Sequence, residues 1–154
     1  MSCAFRSASK MSMISSPTWD RRSQRSEPQA TAASRRQRCP MSHMLKFDLS
    51  SAEAEIGAPA PDRLISGNPE FRTWNFEDAP GGLYAGIWEA TPGKWRIVYD
   101  EWEYFHILSG HSIVTEDGGE SVHVKAGDSM ILRPGFTGTW EVVVTTRKDY
   151  VIRL

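Results

Sequence analysis

Through the second half of the chain, apolar and polar residues alternate in short runs that glycine and proline interrupt. Residues 83–91, 94–99, 102–108, 111–115, 121–125, 129–133, 139–146 and 149–153 each carry β-branched and aromatic residues at the two-residue spacing of a strand. The interruptions hold Pro92-Gly93, Ser109-Gly110, Asp117-Gly118-Gly119, Gly127-Asp128 and Pro134-Gly135, and each predicts a turn. Upstream the pattern is weaker. Leu45, Phe47 and Leu49 alternate as a short edge strand would, 57–61 reads as an extended Gly/Ala/Pro linker, and 64–67 and 72–77 predict two more strands, with a turn at 78–82. No stretch from 44 onward has a helical period. Strands this short and evenly spaced predict an all-β fold, and a jelly-roll barrel, two sheets folded over one interior, deals with the exposed edges. Such an interior is a natural place for a small molecule.

One strand carries a charge where the pattern asks for an apolar residue. In Trp102-Glu103-Tyr104-Phe105-His106-Ile107, side chains alternate, so Glu103 shares a face with Phe105 and Ile107. Burying a carboxylate on such a face is costly without a partner. Glu103 is therefore either a solvated rim residue or a functional group inside a pocket.

Residues 1–43 break from the pattern. They are rich in Ser, Arg, Ala and Gln and hold eight Lys/Arg against two acids, Asp20 and Glu27, whereas 44–154 hold ten against seventeen. With little apolar surface to offset ordering entropy, 1–43 is expected to be a disordered basic tail, a targeting peptide or an upstream mis-assigned start, since Met41 and Met44 stand just before the first orderly pattern. Residues 44–154 are expected to form one domain, its motif-bearing core at 83–154. The acidic body argues against a nucleic-acid partner, which needs a basic face. No apolar run is long enough to span a membrane as a helix. Both cysteines, Cys3 and Cys39, fall in the front segment, so the body has no disulfide, which suits a cytoplasmic setting.

Three fragments occur in a telling order: Glu103 followed by Gly110; Glu116-Asp117-Gly118; and Ala126-Gly127-Asp128-Ser129 leading through Pro134-Gly135-Phe136 to Gly138-Thr139-Trp140-Glu141, with Arg147-Lys148-Asp149-Tyr150 near the end. Together they resemble the cupin superfamily, in the subgroup of ethanolamine-utilisation-type proteins and the ureidoglycine aminohydrolase domain, over about residues 60–154. The resemblance implies a jelly roll, a dimer, and in many members a metal held by two histidines and a glutamate from one motif and a histidine from a second. With Glu103 on the glutamate, the first two histidine positions fall on Ile97 and Tyr99, or on Arg96 and Val98, and the last on Gly138. One carboxylate does not hold a transition metal, which wants three or four donors in fixed geometry. No metal and no cofactor are expected, and His106, His111 and His123 read as surface or interface residues.

The candidate site then comprises Glu103 as anchor or general acid/base, Trp140 as an inward wall, and Arg96, Tyr99 and Lys148 as candidate cations or hydrogen-bond donors beside it. Arg96 and Tyr99 have opposite parity, so at most one of them faces Glu103. The expected function is binding of a small polar metabolite without a transition metal. An aminohydrolase-like catabolic enzyme is one alternative, and a non-catalytic structural or regulatory homodimer is the other. An open polar interior would favour the small-molecule readings, and a barrel plugged by Trp and Phe the last.

Overall fold

A computed structural model describes residues 43–154, so the expectations for 1–42 lie outside the described residues. These form nine strands and no helix: β1 (Glu55–Gly57), β2 (Leu64–Gly67), β3 (Phe71–Ala79), β4 (Leu83–Ala90), β5 (Gly93–Val98), β6 (Trp102–Glu116), β7 (Ser121–Lys125), β8 (Ser129–Leu132) and β9 (Thr137–Arg153). Every pairing is antiparallel. β9 is the spine: its second half pairs with β4, its first half with β5, and its other edge runs along β6 from one end to the other. β6 in turn carries β8 beside its first half and β7 beside its second. β3 extends the sheet from β4, β2 extends it from β5, and β1 adds to β3.

These pairings make one sheet creased across the middle and folded on itself. Strands β6 and β9 each run through the crease, while the pairs β4/β5 and β7/β8 break there. Glycine makes the crease possible. Gly110 has φ of 92°, and a Cβ on it would lie 2.2 Å from the Thr145 carbonyl oxygen of β9. On the β2/β5 side, Gly67 faces Gly93 in register, and a Cβ on Gly67 would lie 2.8 Å from the Gly93 Cα. No other residue fits such approaches without a backbone shift.

The turn expected at Ser109-Gly110 is therefore a bulge inside one continuous strand. The register shifts between Ile107 and Ser112, and the inward parity moves from Glu103, Phe105 and Ile107 to Ser112 and Val114. The break expected near 147 is likewise absent, because β9 keeps even-numbered residues inward from Gly138 to Val142 and again from Thr146 to Ile152. Leu45–Leu49 forms no strand. The Asp48 carboxylate takes the Ser50 backbone N–H at 3.0 Å, turning the chain, while Phe47 stacks on Phe76 with ring centroids 4.8 Å apart. Within the expected linker, only Gly57 joins a strand.

Between the two leaves lies a core of Phe71, Trp88, Trp95, Phe105, Trp140 and Tyr150, with aliphatic residues around them. The rings meet at tilted or edge-on angles, 4.8 Å apart for Phe71 and Trp95 and 5.8 Å for Trp88 and Trp140. At the crease the one polar thread is satisfied: Ser112 Oγ donates to Thr146 Oγ1, which donates to the Val144 carbonyl.

Candidate functional site

Alternation along β6 turns Glu103 into this aromatic interior, where its side chain is 1% exposed. Its partner is Lys148, 5% exposed, whose Nζ donates to Oε1 at 2.6 Å. The two are not cross-strand neighbours. Lys148 lies opposite Ile107, four residues further along β6 than Glu103. Four residues of strand span about 13 Å, so the lysine stem must lie along the sheet across Phe105. The ammonium indeed sits 4.6 Å from the Phe105 ring centroid, 4.5 Å from that of Trp140 and 5.1 Å from that of Trp88. Trp88 is the residue opposite Lys148 on β4. Trp140 stands eight residues before Lys148 on the same strand, about 26 Å away were the strand straight; the crease brings them together. Aromatic faces attract a desolvated cation, so three rings and one carboxylate compensate the ammonium for the water it has lost.

Two polar atoms in this interior are left over. Glu103 Oε2 and Trp140 Nε1 are buried with no hydrogen-bond partner among the described residues. Tyr99 is a further donor beside Glu103. Burial first, then the negative charge of Glu103 and the loose approach of the phenol to it, hold the Tyr99 pKa well above its ordinary 10.0, so the phenol stays neutral. That approach stops short of a formed hydrogen bond, as the orphaned Oε2 attests. Tyr150 is also raised, by burial and then by Glu103, and its hydroxyl donates to Asn75 Oδ1 at 3.1 Å. Carboxylate, ammonium and neutral phenol together can accept, hold and donate protons around one small polar group.

Of the five expected site residues, the fold brings four together: Glu103, Lys148, Trp140 and Tyr99. Arg96 is elsewhere. It faces outward and makes a bidentate pair with Asp117 at 2.7 and 2.6 Å, which holds the Asp117 carboxyl below its ordinary pKa. Of these two residues of opposite parity, Tyr99 is the one on the inward side. Sequence reasoning missed Trp88 and Phe105 as walls of the ammonium cage. Phe105 shares Glu103's parity and could have been found; Trp88 depends on the β4/β9 register, which no local pattern fixes.

The donor set does not suit a transition metal. Ile97 is buried and apolar, Glu103 Oε1 already binds an ammonium, and Tyr99 keeps its proton. At the last histidine position, a Cβ on Gly138 would lie 2.1 Å from the Thr115 carbonyl oxygen, so no side chain fits there at all. Among the described residues no three His, Cys, Asp or Glu side chains cluster as metal ligands. The histidines stay outside: His106 Nδ1 is 3.0 Å from Ser129 Oγ, and His111 Nε2 is 3.0 Å from His123 Nδ1.

The comparisons with known proteins agree with this architecture. A family model for the EutQ-like cupin domain matches residues 77–150. No curated protein matches. Among solved structures, a protein of unknown function from Pseudomonas syringae pv. tomato is similar at 24% identity and a TM-score of 0.62, over 69% of this chain and 46% of that one. This chain therefore spans less than half of that protein. The EutQ protein of Clostridium difficile is similar at 19% identity and a TM-score of 0.55, over 70% of this chain and 85% of its own. The creased antiparallel sheet and the family match agree: residues 77–150 match a EutQ-like cupin domain, and the chain has the cupin fold.

Proposed function

We propose that this cupin binds a small polar molecule in its interior without a transition metal, anchored by Glu103 and enclosed by Trp140, Tyr99 and Lys148. The observation that carries this reading is the pair of orphans, an acceptor at Glu103 Oε2 and a donor at Trp140 Nε1, buried around one ammonium. Buried polar atoms are rarely left unpaired, and each costs about 1–3 kcal/mol when they are. A guest with one donor and one acceptor relieves both. Tyr99 contacts Glu103 on one side and Phe136 on the other, with ring centroids 6.3 Å apart in the latter case, and so stands between the anchor and the surface. Ligand-observed NMR with a library of small amides, alcohols and carboxylic acids tests the proposal: hits should vanish with Glu103→Gln. Hits that persist with that variant would remove Glu103 as the anchor. If the guest is transformed, Glu103 is the general base or acid, as the aminohydrolase-like alternative requires.

A second reading has its own support. The interior is filled by Trp and Phe rings, and the Glu103–Lys148 pair is sealed from solvent, as in a barrel used as a scaffold. Here the chain is a non-catalytic structural or regulatory homodimer in the cytoplasm, with outward residues such as Trp102 and Tyr104 at its contact. Light scattering gives the oligomer, and failure of every ligand class in the NMR screen would favour this reading.

A further inference from the structure

The inner face of the sheet is not covered everywhere. Where β7 and β8 form its free edge, a groove of about 400 Å³ opens between that edge and the turn at 133–136. Val114, Val122, Met130, Leu132 and Phe136 supply its apolar walls. Three charged residues also line it: Glu116 and Glu120 near the β6–β7 turn, and Arg133 after β8. Glu103, Tyr99, Trp140 and Lys148 are not among its walls, but Leu132 is the cross-strand neighbour of Glu103 and Val114 that of Trp140, so the groove lies beside the interior site.

Arg133 makes no ion pair with Glu116, Glu120 or any other described residue, although all three line one cleft. Some surface charges on this domain pair, Arg96 with Asp117, Lys94 with Glu141 and Arg147 with Glu89, while Arg63, Lys125 and Arg153 are, like Arg133, in no ion pair with a described residue. Opposite charges lining one apolar trough without pairing complement a molecule that carries both signs on an apolar body. The volume is within the usual range for a small-molecule site, about 300–1,000 Å³.

We infer that this groove binds a zwitterionic amino acid with an apolar side chain, its ammonium toward Glu116 and Glu120, its carboxylate toward Arg133, and its side chain against Leu132 and Phe136. The probe is L-leucine, compared with isoamylamine, which lacks the carboxylate, and 4-methylpentanoate, which lacks the amine. Titrations of the isotope-labelled full chain are followed by amide NMR. L-leucine should shift amides at 114–122 and 130–136, and each truncated analogue should bind about fivefold more weakly, the size of an exposed ion pair. Arg133→Gln should reduce L-leucine to the affinity of isoamylamine, and Glu116→Gln with Glu120→Gln to that of 4-methylpentanoate. Shifts elsewhere, no shifts at millimolar L-leucine, or equal binding of all three probes would overturn the assignment. The result does not depend on the interior reading, since it is read at Arg133, Glu116 and Glu120, none of which belongs to the interior site.

Discussion

An ammonium and a carboxylate 2.6 Å apart behind three aromatic rings cannot be altered one at a time without consequence. Removing one partner of a buried pair costs about 3–5 kcal/mol, because the other charge is stranded, whereas replacing both with apolar residues is often neutral. Lys148→Met and Glu103→Gln should each lower the stability read by urea denaturation by that order, and Glu103→Leu combined with Lys148→Met should recover most of it. A double variant as unstable as the sum of the singles would mean that the two do not act as a pair. Trp140→Phe separates the two functional readings. It removes an unsatisfied N–H but leaves a smaller ring in the cage, so stability should fall by about 1–2 kcal/mol, while binding of any interior ligand should weaken. The phenols add a pH dependence. Tyr99 and Tyr150 both have raised pKa values in the fold, chiefly by burial. The unfolded chain ionises first, near 10.0, so their contribution is intact below that pH and is lost as pH rises above it. Denaturation midpoints should therefore fall from about pH 9 to about pH 11, and less steeply in Tyr99→Phe. An unchanged slope in that variant would show that the phenol is not held neutral.

At the scale of the strands, the crease decides what the sequence could reveal. Two-residue alternation located most strands from 64 onward, because one face of each is buried and the other is not. It misplaced the ends of β6 and β9, because Ser109-Gly110 has the composition of a turn and acts as a bulge. Only the neighbouring strand, with Thr145 pressed against the Gly110 Cα, distinguishes the two. The same holds for the site. Glu103 stood out by parity, whereas Lys148 and Trp140 meet only after β9 bends, a non-local event. Arg96 and Tyr99, one of them excluded by parity, could not be ranked until β5 was docked on β9. Gly110→Ala tests the crease. It puts a side chain at positive φ and against backbone, so a loss of about 2 kcal/mol or more is expected, measured by thermal unfolding; a silent substitution would mean that the strands part easily there. Gly138→His would not rebuild a metal ligand, and the expected outcome is insoluble protein, read from the soluble fraction on expression.

For the molecule as a whole, the core of the described residues runs from Phe71 to Ile152. Deleting residues 1–42 should accordingly leave the Tm of the remainder within a degree or two, and a large drop would show that the front segment contributes packing. No described helix is long and apolar enough to cross a membrane. The cation in the interior is Lys148, and the proposed site uses no transition metal. The most direct measurement is elemental analysis for Mn, Fe, Ni, Cu and Zn on untagged protein purified without chelator. Metal far below one equivalent per chain is the predicted result. About one equivalent per chain, lost with Glu103→Gln, would contradict it and place a metal where the ammonium now stands.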